Sequence, residues 1–285
     1  MRRRIRPGST PSAPVPDPVA PSPIFALDGV SLRRDGRDIL CDVDWTIHQG
    51  ERWVVLGPNG SGKTSLVEIL STYLRASTGS VSVLGRELRR TNVHELRPSI
   101  GYLSAALLPL VPDGLTAGQV VDAAQVGALL PWYVDSARID RSRTDDALAT
   151  AGLRGLRDRR YGQLSSGEQL RVQIARALVA DPEALLLDEP TANLDIGGRE
   201  ALISSLAAVA RGPMSAMVLV IHRLEDIPAG FTHALLLREG RVVGAGPLGD
   251  VLTDAAVSAC FGTPIVVPAQ LRSETPSSSQ SIASR

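Results

Sequence analysis

The stretch "RWVVLGPNGSGKTSLVEILSTYL", residues 52–74, narrows the possible folds more than any other part of the chain. A short apolar run leads straight into a loop holding Gly57, Gly60 and Gly62, and helical periodicity begins after it. An apolar run of strand length without alternation suits a strand covered on both faces, as in a parallel sheet flanked by helices. Two more such runs follow, "EALLLDEP" and "AMVLVIH". In open α/β sheets ligands bind outside the carboxyl ends of the strands. Asp188 and Glu189 after one run and His222 after the other are therefore expected beside the glycine loop.

The loop itself, Gly57 to Thr64, fits the Walker A pattern G-x-x-x-x-G-K-[ST]. Its glycines let the backbone turn tightly so that successive N–H groups face phosphate oxygens, and the helix that follows adds its positive end. Gly57, Pro58, Asn59, Gly60, Ser61, Gly62, Lys63, Thr64 and Ser65 are the expected nucleotide-binding residues. Lys63 is the only lysine in the chain, all other basic residues being arginine. A compact ammonium on a flexible stem can reach β- and γ-phosphates inside a narrow loop that a wide guanidinium does not fit. Thr64 would give a hydroxyl to Mg²⁺, and Asp188 a carboxylate that meets the ion directly or through a water. Glu189 stands where it could orient and deprotonate an attacking water. The pairing of loop and acidic strand end reads as a P-loop nucleotide hydrolase, with ATP and Mg²⁺ as cofactors.

Around this core, Phe25 to Ile47 alternates at period two about "RRDGRD" and predicts antiparallel strands. In "CDVDWTIH" the alternation puts Cys41, Val43, Trp45 and Ile47 inward, so Cys41 is expected in the core, as is Trp53. Two cysteines are too few for a disulfide framework. Helical patterns dominate from about 106 to 172; "TAGQVVDAAQVGALL" sets Val120, Val121, Ala124 and Ala128 on one face. "HALLLREGRVVGAG" predicts a hairpin turning at Glu239-Gly240. The fold class expected is thus α/β, a P-loop NTPase core with an antiparallel β subdomain and an inserted α-helical subdomain. The Pro-rich leader, 1–23, and the Ser-rich tail, 272–285, are expected to be disordered, leaving 24–271 as the ATP-binding domain. No apolar run approaches the ~20 residues of a membrane-spanning helix. Zero net charge gives no reason to expect nucleic acid.

Residues 163–195, "QLSSGEQLRVQIARALVADPEALLLDEPTANLD", resemble an ABC-type ATPase, the nucleotide-binding subunit of ATP-driven transporters. "LSSGEQ" is similar to that family's LSGGQ signature, with Ser166 in place of a glycine and Glu168 of the glutamine. Asp195 corresponds to the D-loop and His222 to the switch histidine. The resemblance implies a homodimer or ATPase pair working head to tail. ATP would lie between one subunit's Walker motifs and the other's Ser165, Ser166, Gly167 and Glu168. It assigns His222 to the γ-phosphate, and it implies an integral membrane partner with the ATPase cytoplasmic and peripheral on the inner face.

Two positions depart from the family. Ala105 in "IGYLSAALLPL" stands where a glutamine that senses Mg²⁺ and the membrane partner is usual. A similar absence occurs in some lone ATPases grouped with molybdate or iron importers. Upstream of the loop, Arg34 replaces the tyrosine that stacks on adenine; its guanidinium plane could stack, or it is a solvated strand residue. The expected function is the ATPase subunit of a transporter. The alternative is a soluble ABC-type ATPase with a non-transport role, favoured by Ala105 and opposed by the lack of tandem cassettes or a coiled-coil insertion. A regulator that binds ATP without hydrolysing it is opposed by Glu189 and His222.

Overall fold

The computed structural model describes residues 23–128, 136–192 and 194–271, so the expectations for the leader and tail lie outside them, Pro23 apart. In chain order it runs β1 (Phe25–Arg34), β2 (Arg37–Ile47), β3 (Arg52–Leu56), α1 (Lys63–Leu70), β4 (Thr78–Val83), β5 (Arg86–Glu87), the short α2 (Val93–Leu96) and β6 (Ile100–Ser104). There follow α3 (Ala117–Ala124), α4 (Arg141–Thr150), α5 (Ser166–Leu178), β7 (Ala184–Asp188), α6 (Ile196–Ala210) and β8 (Ala216–Val220). The last elements are β9 (His233–Arg238), β10 (Arg241–Pro247), the short α7 (Leu248–Val251) and α8 (Asp254–Phe261).

Two sheets form. One has the order β10-β9-β3-β8-β7-β6, parallel except for the antiparallel edge strand β10. The other, β2-β1-β4-β5, is antiparallel. Alternate residues of the parallel strands serve different cores, which is why those strands read as unbroken apolar runs. Trp53 and Val55 of β3 pack with α1 and the antiparallel sheet. Val54 and Leu56 pack on the opposite face with α6 and α8. Because β3, β6, β7 and β8 are parallel, Leu56, Ser104, Asp188 and Val220 all end at one edge of the sheet.

Residues between β6 and β7 build a third apolar core, with Val120 and Val121 of α3, Leu148 of α4 and Val172 and Ala175 of α5. Arg176, nearly fully buried on α5, anchors this region to the parallel sheet. Its guanidinium donates to the carbonyls of Tyr102 in β6 (3.2 Å) and Ala128 (3.2 Å).

Several local expectations need correction. Helix α1 ends at Leu70 rather than running on through "STYL": Thr72 takes a left-handed conformation (φ 67°), and Tyr73 and Leu74 both turn back onto the Glu68 carbonyl. Helix α3 likewise stops at Ala124, short of its apolar pattern, and a turn leads to Gly127. Cys41 is only half-buried, because a bulge at Asp42 (φ 53°) shifts the alternation and Leu40 takes the inward place. Strand β4 had no counterpart in the sequence reading. Its "TGSVSV" is mostly small and polar, but pairing with β1 buries Val81 and Val83.

Candidate functional site

Between β3 and α1 the glycine loop is pressed against its neighbours from two sides. A Cβ on Gly57 would lie 2.0 Å from the Leu237 carbonyl oxygen, and one on Gly62 (φ 102°) 2.8 Å from that of Ile39. Gly240 at the β9–β10 turn donates its N–H to the Ser61 carbonyl at 3.0 Å. So held, the loop keeps Lys63 only 4% exposed, its Nζ donating to the carbonyls of Gly57 (2.9 Å) and Pro58 (3.0 Å). Burial lowers the Lys63 pKa, and the charges of Glu189 and Asp188 pull it back upward. The Ser61 hydroxyl is buried with no hydrogen-bond partner. The first amides of α1 have no acceptor within their own helix. An enclosed ammonium, an orphan hydroxyl and a helix N-terminus at one spot suit a bound phosphate chain.

Asp188 closes β7 and is 2% exposed. Its Oδ1 accepts from Thr64 Oγ1 at 3.3 Å and its Oδ2 from Ser104 Oγ at 3.0 Å. Among the described residues no group of three or more His, Cys, Asp and Glu could hold a metal by itself. A hydroxyl and a carboxylate fit Mg²⁺, which uses one or two protein oxygens and takes the rest of its shell from phosphates and water.

Burial raises the Asp188 pKa, Glu189 adds to the rise, and the hydrogen bonds from Ser104 and Thr64 oppose it. The sign has a thermodynamic consequence. A carboxyl whose pKa is raised on folding contributes stability below its ordinary pKa and loses it as pH rises through the raised value. At neutral pH the nucleotide-free protein thus carries the cost of an ionised, buried Asp188. Asp188→Asn is expected to raise the melting temperature of the nucleotide-free protein at pH 7. Its advantage should vanish near pH 4. Thermal unfolding at both pH values checks this, and a lower melting point at pH 7 would refute it.

Glu189, one residue on, adopts a left-handed backbone (φ 51°), a conformation disfavoured for a residue with a side chain. Its N–H is held by the Val220 carbonyl at 3.2 Å. The turn aims the carboxylate at His222 beyond β8, with His222 Nε2 2.6 Å from Glu189 Oε1. The loop, Thr64, Asp188, Glu189 and His222 therefore form one constellation.

Other expected site residues lie apart from it. Ser165 caps α5 in a reciprocal box with Glu168. Ser165 Oγ accepts the Glu168 N–H (3.3 Å), and Glu168 Oε2 accepts the Ser165 N–H and hydroxyl (both 2.8 Å). These bonds hold the Glu168 pKa below its ordinary value. Ser166 and Gly167 form the first turn of that helix. Among the described residues no hydrogen bond joins 165–168 to the loop at 57–65. Asp195 caps α6, accepting the Gly198 N–H at 2.8 Å. The Arg34 side chain is 71% exposed and 3.9 Å from Asp35, and its charge lowers the Glu68 pKa on α1 against the larger effect of burial. Ala105 follows β6 and brings only a methyl group.

Two features escaped the sequence reading. Ser104 is a polar residue ending an apolar strand, the same signal that singled out Asp188. Asp226, nearly buried, accepts from Thr191 (3.4 Å) and pairs with Arg199 of α6, joining the segment after His222 to the segment after Glu189. Nothing in their spacing marks those three residues as partners.

The sequence profile of the ABC transporter family matches residues 40–192. An uncharacterised ABC transporter ATP-binding protein of Bacillus subtilis, YlmA, is 40% identical over 86% of this chain and 93% of its own length. The hemin import ATP-binding protein of Rhodococcus jostii is 36% identical over 89% of this chain and 85% of its own. Among solved structures, cbiO1 of Clostridium perfringens, part of the transporter complex cbiONQ, superposes with a TM-score of 0.67. It is 26% identical over 84% of this chain and 94% of its own.

Proposed function

This chain belongs to the ABC transporter family of ATP-binding subunits, and on that premise we propose how its residues divide the work. The protein binds and hydrolyses ATP to energise a transporter. In our reading the amides of residues 57–65 and the Lys63 ammonium hold the phosphates, with Lys63 exchanging the Gly57 and Pro58 carbonyls for β- and γ-oxygens. Thr64 and Asp188 would hold Mg²⁺, Asp188 directly or through a water. When bound, the ion neutralises phosphate charge. Glu189 orients a water and takes its proton as the water oxygen bonds to the γ-phosphorus and the bond to the ADP oxygen breaks. His222 lets go of Glu189 and donates to the γ-phosphate, steadying the charge that develops there. The observation that carries this division is the 2.6 Å Glu189–His222 contact beside a buried, anion-ready Lys63.

The second half of each site comes from a second subunit, through the α5 N-terminus with Ser165, Ser166, Gly167 and Glu168; Asp195 lies at the same junction. Arg34 faces adenine from the exposed end of β1. The 24–271 domain works with an integral membrane partner, peripheral to the inner face of the cell membrane. No helix among the described residues is long and apolar enough to cross a membrane by itself. The Rhodococcus relative is named for hemin import, which favours import of a metal-containing cargo.

Affinity capture of the tagged full chain in mild detergent tests the partner. The expected outcome is a stoichiometric integral membrane protein whose presence raises ATP hydrolysis. Recovery of the homodimer alone, with hydrolysis indifferent to membrane fractions, would refute that coupling.

A further inference from the structure

We propose that Ser104 is a positioning residue for the metal end of the site. Its hydroxyl fixes the Asp188 carboxylate and thereby sets how tightly divalent metal is held with nucleotide. The inference rests on the ATPase reading above.

Ser104 and Asp188 are directly paired in the β6–β7 register, and both are 2% exposed. A hydroxyl has one proton to donate and can accept at two lone pairs. Ser104 donates at 3.0 Å to Asp188 Oδ2 and accepts the Ala106 N–H at 3.3 Å, which fixes its own orientation. Thr64 binds the other Asp188 oxygen, so a hydroxyl grips each end of the carboxylate.

The two grips are not equivalent. Thr64 is itself the other residue that would bind the metal, so removing its hydroxyl would take away a metal oxygen along with a bond to Asp188. Ser104 would act on the metal through the carboxylate alone. The next residue cannot replace it, because Ala105 has no polar side-chain atom. Partners that orient a metal-binding carboxylate typically change metal affinity ~10–100-fold when removed. Burial makes the bond matter more, since no water competes for the carboxylate and a freely turning Asp188 would have to be ordered anew at each binding event.

The test uses the full chain carrying Glu189→Gln, so that nucleotide is not consumed, with Mn²⁺ as a spectroscopic probe in place of Mg²⁺. Mn²⁺ binding in the presence of ATP is followed by electron paramagnetic resonance, and ATP binding is measured separately in chelator. Adding Ser104→Ala should raise the Mn²⁺ concentration for half-saturation ~10-fold or more. Metal-free ATP binding should stay unchanged, and Ser104→Thr, which keeps the hydroxyl, should restore the midpoint to within about threefold. If the alanine variant does not fold, Ser104→Cys carries the same comparison, because its slightly larger thiol leaves no cavity and is a weaker donor. An unchanged Mn²⁺ midpoint would overturn the proposal, as would an equal loss of metal-free ATP binding or a failure of threonine to rescue. If the protein with Ser104 intact binds no nucleotide at all, the ATPase reading falls and this inference falls with it.

Discussion

Glu189→Gln should lower steady-state ATP hydrolysis by ~10²–10⁴-fold, the range in which a positioned general base contributes. The substitution is nearly isosteric, and the side-chain amide can still meet His222 across the present 2.6 Å contact. The strained turn at φ 51° is a backbone property set by β7, β8 and the Val220 carbonyl, so it should survive. Nucleotide binding should therefore persist while turnover is lost. With ATP no longer cleaved, the head-to-tail pair should accumulate and be visible by light scattering in ATP and Mg²⁺. Phosphate release measured alongside decides the matter. Turnover within about threefold of the parent would remove Glu189 from its assigned role.

Lys63→Arg should cost nearly as much, through binding rather than turnover. The Lys63 side chain lies inside the loop at 4% exposure, its ammonium between two carbonyls at 2.9 and 3.0 Å. A guanidinium is broader, planar and fixed in direction, and the loop cannot widen, because Gly57 already touches the Leu237 carbonyl and Gly62 that of Ile39. Forcing extra volume into packed surroundings typically costs about 1–3 kcal/mol. We expect ATP affinity to fall at least ~100-fold by titration calorimetry, with a melting temperature no higher than that of the parent. Retained affinity would mean that the lone lysine is an accident of composition.

The parts of this site that could be read from sequence are those where a side chain and its backbone setting are encoded together. Walker A is such a case, since glycines, lysine and threonine are contiguous and the strand before them is unmistakable. Asp188 and His222 were legible because each ends an apolar run. Ser104 ends one too, but serine is common and the run "IGYL" holds a glycine, so the signal was weaker. The Thr191–Asp226–Arg199 contacts were not legible at all, because they join residues up to 35 positions apart through tertiary packing. The same holds for β4, whose residues are strand-like only once β1 lies beside them. Helix α1 ended early for a local reason, the left-handed Thr72, to which helical periodicity is blind.

Arg176 gives the two halves of the cassette a mechanical relation. Its guanidinium sits on α5, whose first turn carries the Ser165 cap, and grips the β6 backbone two residues before Ser104. Swinging the helical region away from the sheet would strip a buried cation of its carbonyl partners where water cannot replace them. The joint is therefore costly to open. In the proposed pairing of two subunits, a displacement at the α5 N-terminus would pass through Arg176 to β6, the strand that carries Ser104.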